Sequence, residues 1–116
     1  MLMSQILQGL AYMHSRQICH RDIKLENLIF NEATETVKII DFGFSTSCKE
    51  KLKVFCGTPS YMAPEIVSKK EYSGAAADVW SAGVVMYVML TGDLPFKSND
   101  EKGLYRKIQA GAYSVP

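Results

Sequence analysis

An α+β fold, mainly α, with several helices around one short β-hairpin, is predicted by three features of this 116-residue sequence. An apolar stripe at helical spacing opens the chain, two short runs of β-forming residues flank a polar hexapeptide, and a segment apolar on nearly every face occupies residues 75–91. With 47% hydrophobic and 22% charged side chains, the composition is that of one ordinary globular domain and excludes a disordered tail, a collagen or a coiled coil.

Each element follows in order. Leu2, Met3, Ile6, Leu7, Leu10, Ala11 and Met13 recur at i, i+3, i+4, i+7, the pattern of an amphipathic helix. No Ser, Thr, Asp or Asn caps the stripe, so the helix is expected to begin upstream and the chain to be part of a longer domain. A polar loop, Cys19 to Asn27, leads to the runs Leu28-Ile29-Phe30 and Val37-Lys38-Ile39-Ile40, joined by a connector of hairpin length, residues 31–36. Residues 43–61 lack periodicity and read as a long loop, of the kind that carries function in compact domains. Pro64 suits the first position of a short helix through Val67. The helix over 75–91, closed by Gly92 and Pro95, must be surrounded on all sides. Ser98 and Glu101 form a capping box that starts a last helix, with Leu104 and Ile108 on one face. No repeat or linker divides residues 1–116.

Thirteen basic and 12 acidic side chains leave a net charge of +1, which provides no drive toward nucleic acid or an anionic membrane. The longest uncharged apolar run, Val79 to Leu90, is twelve residues, against the ~20 of a spanning helix. The N-terminus has no secretion signal, and Cys19, Cys48 and Cys56 are odd in number without a C-x-x-C pair. A cytoplasmic or nuclear address and free, inert thiols are the expectation.

Chemistry enters at the hairpin. If it turns about residue 34, cross-strand partners sum to about 68 and Asn27 faces Asp41, bringing an amide oxygen and a carboxylate together at its open end. Such a pair suits Mg²⁺, which keeps waters and is completed by substrate phosphates; a one-residue slip would break the pairing. Asp22 and Lys24 precede on the same loop. A proton-accepting carboxylate, an ammonium and two metal ligands are the equipment of phosphoryl transfer, although His20-Arg21-Asp22 alone is equally a loop held by a buried imidazole and an ion pair.

The run His20-Arg21-Asp22-Ile23-Lys24-Leu25-Glu26-Asn27, then Asp41-Phe42-Gly43, then Ala63-Pro64-Glu65 resembles the protein-kinase signature set in its order. The five fixed positions of the first motif arise by chance on the order of 10⁻⁵. Lys24 with Gly57-Thr58-Pro59-Ser60-Tyr61 is similar to the serine/threonine branch, and Phe55 to Phe96 resembles calcium/calmodulin-dependent and AMP-activated-related members.

The resemblance implies a kinase-like C-lobe with catalytic loop 19–27, metal-binding motif 41–43, activation segment 41–65 and central helix 75–91. It implies ATP and Mg²⁺ as cofactors and a protein Ser/Thr hydroxyl as acceptor. Asp22 is then the general base, Lys24 contacts the transferred phosphate, and Asn27 and Asp41 hold the metal. Glu26 is placed like acidic residues that favour basic substrates, or is a solvated loop carboxylate. Ile29, Val85 and Met89 resemble the apolar stack under the adenine, and ordinary core packing accounts for each equally well. His20, Phe42 and Gly43 belong to the regulatory core around the metal motif. Asp78 is expected to anchor that core by accepting backbone hydrogen bonds from the catalytic loop.

Val54 stands where many members carry a phosphorylated Thr that pairs with the Arg of His20-Arg21-Asp22. Regulation is then expected at Thr46, Ser47 or Thr58, or without phosphate. Lys49, Lys51 and Lys53 meet such a phosphate or form a solvated basic edge. No G-x-G-x-x-G and no V-A-I-K strand occur among the 116 residues, so the N-lobe that clamps ATP is missing, as are the last C-terminal helices whose Arg pairs Glu65. Two readings follow: a serine/threonine kinase whose isolated 116 residues are inactive, or a pseudokinase-like docking module. The intact Asp22, Lys24, Asn27 and Asp41 weigh against the second for the parent protein.

Overall fold

A computed structural model describes residues 2–111; Met1, the Leu2 side chain and residues 112–116, with the predicted end of the domain at Pro116, lie outside the described residues. The helices are α1 (Leu2–Ser15), α2 (Pro64–Val67), α3 (Gly74–Thr91) and α4 (Glu101–Ala110). Four short strands accompany them: β1 (Ile18–Cys19), β2 (Leu28–Asn31), β3 (Thr36–Ile39) and β4 (Thr46–Ser47). They make two antiparallel pairs, β1 with β4 and β2 with β3. The first pair was not predicted, because two-residue strands carry no periodicity to read.

Helix α1 buries Met3, Ile6 and Leu10 against Ile23 and the α3 residues Ala82, Val84 and Val85. Leu7 and Ala11, also in the apolar pattern, face outward. Gln5 ties α1 to the hairpin: its amide donates to the Glu35 carbonyl (2.7 Å) and its carbonyl accepts the Val37 N–H (2.8 Å). A second cluster, on the other side of α3, joins Met62, Ile66, Val67, Tyr72 and Ala77 to Phe96, Leu104 and Ile108.

The hairpin forms, but its register is one residue off the prediction. Leu28 pairs with Ile39 and Asn31 with Thr36, so Asn27 lies opposite Ile40, whose N–H it accepts at 2.9 Å, and not opposite Asp41. The cause is local. Asn31 Oδ1 accepts the N–H groups of Ala33 (3.0 Å) and Thr34 (3.4 Å), and Glu35 takes a left-handed φ of 52°, which closes a four-residue loop centred between Ala33 and Thr34.

Helix α3 is capped by Ser73, whose Oγ accepts the Ala76 N–H, and ends at Gly92 with φ 78°. It is not surrounded on all sides as the sequence suggests. Val79, Met86, Met89 and Leu90 are 53%, 44%, 41% and 65% exposed, since α1 covers one side, α2 and α4 pack beyond the other, and no element among the described residues covers the rest. By length and composition alone α3 is apolar enough to cross a membrane, yet it carries the buried, hydrogen-bonded Asp78. The cap of α4 is Asp100, not Ser98: Asp100 Oδ1 accepts the Gly103 N–H (3.0 Å), and the Ser98 hydroxyl donates to that same oxygen (3.3 Å). A carboxylate at a helix N-terminus satisfies a free N–H and meets the positive end of the dipole, which a hydroxyl does less well.

Candidate active site

The loop between β1 and β2 is hung from α3. Asp78, 1% exposed, accepts the backbone N–H of His20 (2.7 Å) on Oδ2 and of Arg21 (2.8 Å) on Oδ1. His14 Nε2 lies 3.0 Å from Asp78 Oδ2, a third contact to the same carboxylate from the last turn of α1. Sequence reasoning missed His14; its only signal was a histidine at a helix C-terminus, where a cation is favoured in any helix.

His20 is fully buried. Its Nδ1 accepts the Asp22 N–H (3.1 Å), so the ring proton sits on Nε2 and is donated to the Ile40 carbonyl (2.8 Å). One imidazole thus spans the start of the loop and the end of β3. Phe42 packs edge-on against it, ring centroids 5.1 Å apart, while leaving half its own surface exposed.

Three side chains converge on Asp22. The Asp22 carboxylate is 9% exposed; Oδ1 accepts the Thr58 hydroxyl (3.0 Å) and Oδ2 lies 3.4 Å from Asn27 Nδ2. Asn27 Nδ2 also donates to the Asp22 carbonyl (2.8 Å), which pins the buried Asn27 amide with its nitrogen toward Asp22. Lys24 Nζ donates to Thr58 Oγ (2.9 Å) and stands 3.8 Å from Asp22 Oδ2. Thr58, named in the sequence only for regulation, is therefore the crosslink between the long 43–61 loop and the loop that joins β1 to β2. Gly57 precedes it with φ 115°, and a Cβ there would sit 3.1 Å from the Arg21 carbonyl, so both the backbone angle and the close approach require glycine.

The remaining predicted residues are more peripheral. Asp41 is exposed, has a left-handed φ of 60° and accepts the Gly43 N–H on Oδ1 (3.3 Å). It lies one residue past the partner of Asn27, at the same end of the hairpin. Glu26 and Ser47 are exposed, Thr46 is half-buried, and Glu65 is exposed and in no ion pair among the described residues. Ile29 is 52% exposed, whereas Val85 is fully buried among α1 residues. Cys19, at the end of β1, has its thiol pushed up to about 12 by burial, with the Asp78 carboxylate adding to it.

As donors for a cation, Asn27 and Asp41 offer hard oxygens. Asn27 commits its nitrogen to Asp22, so Oδ1 remains to bind, and no hydrogen bond among the described residues uses Asp41 Oδ2. No cluster of three or more His, Cys, Asp or Glu occurs among the described residues. Such a sparse oxygen set fits Mg²⁺ that keeps waters and shares a substrate's phosphates, and does not fit a dedicated protein cage.

Comparison with known proteins gives this arrangement its family. Residues 1–115 match the protein kinase domain. The chain is 48% identical to the serine/threonine-protein kinase SAPK1 of Oryza sativa subsp. japonica over 97% of its own length and 35% of that protein. It is 45% identical to the CBL-interacting protein kinase 24 of the same rice subspecies, covering 97% of the chain and 25% of the relative. It is likewise 45% identical to the probable serine/threonine-protein kinase HSL1 of Saccharomyces cerevisiae, covering 97% and 8%. The chain belongs to the protein kinase family, among relatives named as serine/threonine kinases. It spans about a third or less of their lengths.

Proposed function

We propose that these residues are the larger-lobe part of a serine/threonine protein kinase that transfers the γ-phosphoryl group of ATP to a protein hydroxyl. Catalytic loop 19–27, metal motif 41–43, activation segment 41–65 and central helix α3 are its parts. The observation that carries the reading is the Asp22, Lys24, Asn27 and Thr58 cluster, four polar side chains linked through Asp22, of which Asn27 is a metal-competent amide.

In this reading Asp22 accepts the proton of the acceptor hydroxyl as its oxygen bonds to the γ-phosphorus and the bond from that phosphorus to the β,γ-bridging oxygen breaks, ADP leaving. Thr58 and Asn27 hold the carboxylate, so little reorganisation is required when the proton arrives. Lys24 faces the same point and offsets charge on the transferred group. Asn27 and Asp41 would hold Mg²⁺, which when bound supplies neutralisation of phosphate charge. Asp78 and His20 keep the backbone of residues 20–22 in place, Arg21 included, whose left-handed φ of 70° needs such restraint.

The test is Asp22→Asn in the complete catalytic domain with a Ser/Thr peptide and radiolabelled ATP. Transfer should fall by at least ~10³-fold, the scale of a lost general base within a positioned site. Undiminished labelling would reject the role of Asp22. ATP-dependent labelling by residues 1–116 alone would overturn the division into lobes.

A further inference from the structure

Arg21 is held in two ways. Its N–H goes to Asp78, and its guanidinium reaches sideways: Nε donates to the Phe44 carbonyl (2.7 Å) and Nη1 to the Tyr72 hydroxyl (3.4 Å). Tyr72 lies just before α3, is 2% exposed, and donates its hydroxyl to the Val54 carbonyl at 2.7 Å. Its backbone exchanges both hydrogen bonds with Leu52 (2.8 and 2.9 Å). Cys56 Sγ is 3.9 Å from the same hydroxyl. Residues 52–56 are thus stitched to Tyr72 on one side, and Tyr72 is stitched to the catalytic loop on the other. Two residues further on, Thr58 bonds Asp22.

Position 54 is valine, 59% exposed, and has no hydroxyl to modify. A phosphate at that point would order the segment by giving Arg21 a charged acceptor. Here the guanidinium already has acceptors, a carbonyl and a buried phenol. That phenol also donates to the Val54 carbonyl, so one hydroxyl links Arg21 to the backbone of residue 54. Burial raises the Tyr72 pKa, with the Arg21 hydrogen bond opposing, so the hydroxyl keeps its proton for the Val54 carbonyl at neutral pH.

We propose that Tyr72 is a positioning residue that joins Arg21 to Val54 and so holds the activation segment in its working arrangement without phosphate at residue 54. This rests on the kinase reading above. A merely packed tyrosine would need its ring and not its hydroxyl, which separates the two roles.

The experiment compares wild type, Tyr72→Phe, Val54→Glu and the double variant of the complete catalytic domain, measuring kcat and the KM for ATP and for peptide. Tyr72→Phe strands the Val54 carbonyl and one guanidinium N–H, and kcat should fall roughly tenfold. The KM for ATP should stay within twofold, since Asn27 and Asp41 do not touch Tyr72. Val54→Glu alone should change kcat less than twofold, and in the double variant the new carboxylate should restore at least half of the lost rate through Arg21. A Tyr72→Phe enzyme with wild-type kcat, or a loss that Val54→Glu leaves untouched, overturns the proposal. Should Tyr72→Phe fail to fold, Val54→Thr phosphorylated by an activating kinase decides: a gain under twofold supports the proposal, and a tenfold gain overturns it. If wild type shows no Asp22-dependent transfer, the kinase reading falls and this one with it; an active wild type isolates the role of Tyr72.

Discussion

Asp78→Asn tests most directly how α3 supports the loop above it. The substitution keeps shape and volume, removes the charge and replaces one carboxylate oxygen with an amino group. In the structure Oδ2 serves the His20 N–H at 2.7 Å and faces His14 Nε2 at 3.0 Å, while Oδ1 serves the Arg21 N–H at 2.8 Å. With the amide oxygen retained at the two-partner side, Arg21 N–H meets another donor and is stranded, at a cost of about 1–3 kcal/mol. The two surviving bonds lose their charge assistance, roughly half their strength. With a side chain 1% exposed, water cannot substitute, and the stranded N–H together with two bonds that lose charge assistance should cost about 3–5 kcal/mol. That is a large part of the ~5–15 kcal/mol that holds a domain folded. Urea unfolding followed by far-UV circular dichroism gives the stability, and amide hydrogen exchange at His20 and Arg21 gives its location. A loss below about 1 kcal/mol with both amides protected as in wild type would refute the reasoning.

Two further outcomes are expected. Thr58→Val removes the bonds to Asp22 and Lys24 and should lower kcat about tenfold, with Thr58→Ser near wild type; peptide-phosphorylation kinetics on the complete domain check both. For Cys19, a thiol raised from 9.0 to about 12 stays protonated in the fold while the unfolded chain ionises, so its contribution is complete below pH 9.0 and is lost as pH rises toward 12. The urea midpoint should fall across that window, and less steeply in Cys19→Ala.

Much of this was legible beforehand, for identifiable reasons. Pro64 at a helix start, Gly92 at a helix end and the stripe Met3, Ile6, Leu10 each act within a few residues, so local chemistry alone implies helices at α1, α2 and α3. Asp22, Lys24 and Asn27 share an eight-residue run, and their convergence needs only a tight loop. The hairpin was legible as a hairpin but not in register, because an Asx turn at Asn31 and a left-handed Glu35 decide the loop, and neither shows in the hydrophobic pattern. The helix cap at Asp100 was misassigned for a related reason: Ser98 and Asp100 both have capping chemistry, and only the chain's path selects between them.

What the linear chain determines by itself is therefore the list of elements and the chemical inventory, since propensity, capping and hydrophobic period act over a turn or two. The tertiary structure alone decides the partners across long separations. Thr58 meets Asp22 across 36 residues, Tyr72 meets Arg21 across 51 and His14 meets Asp78 across 64. Those contacts exist because α3 packs against an apolar cluster on each of two sides, and packing, which is collective, sets where polar side chains end up.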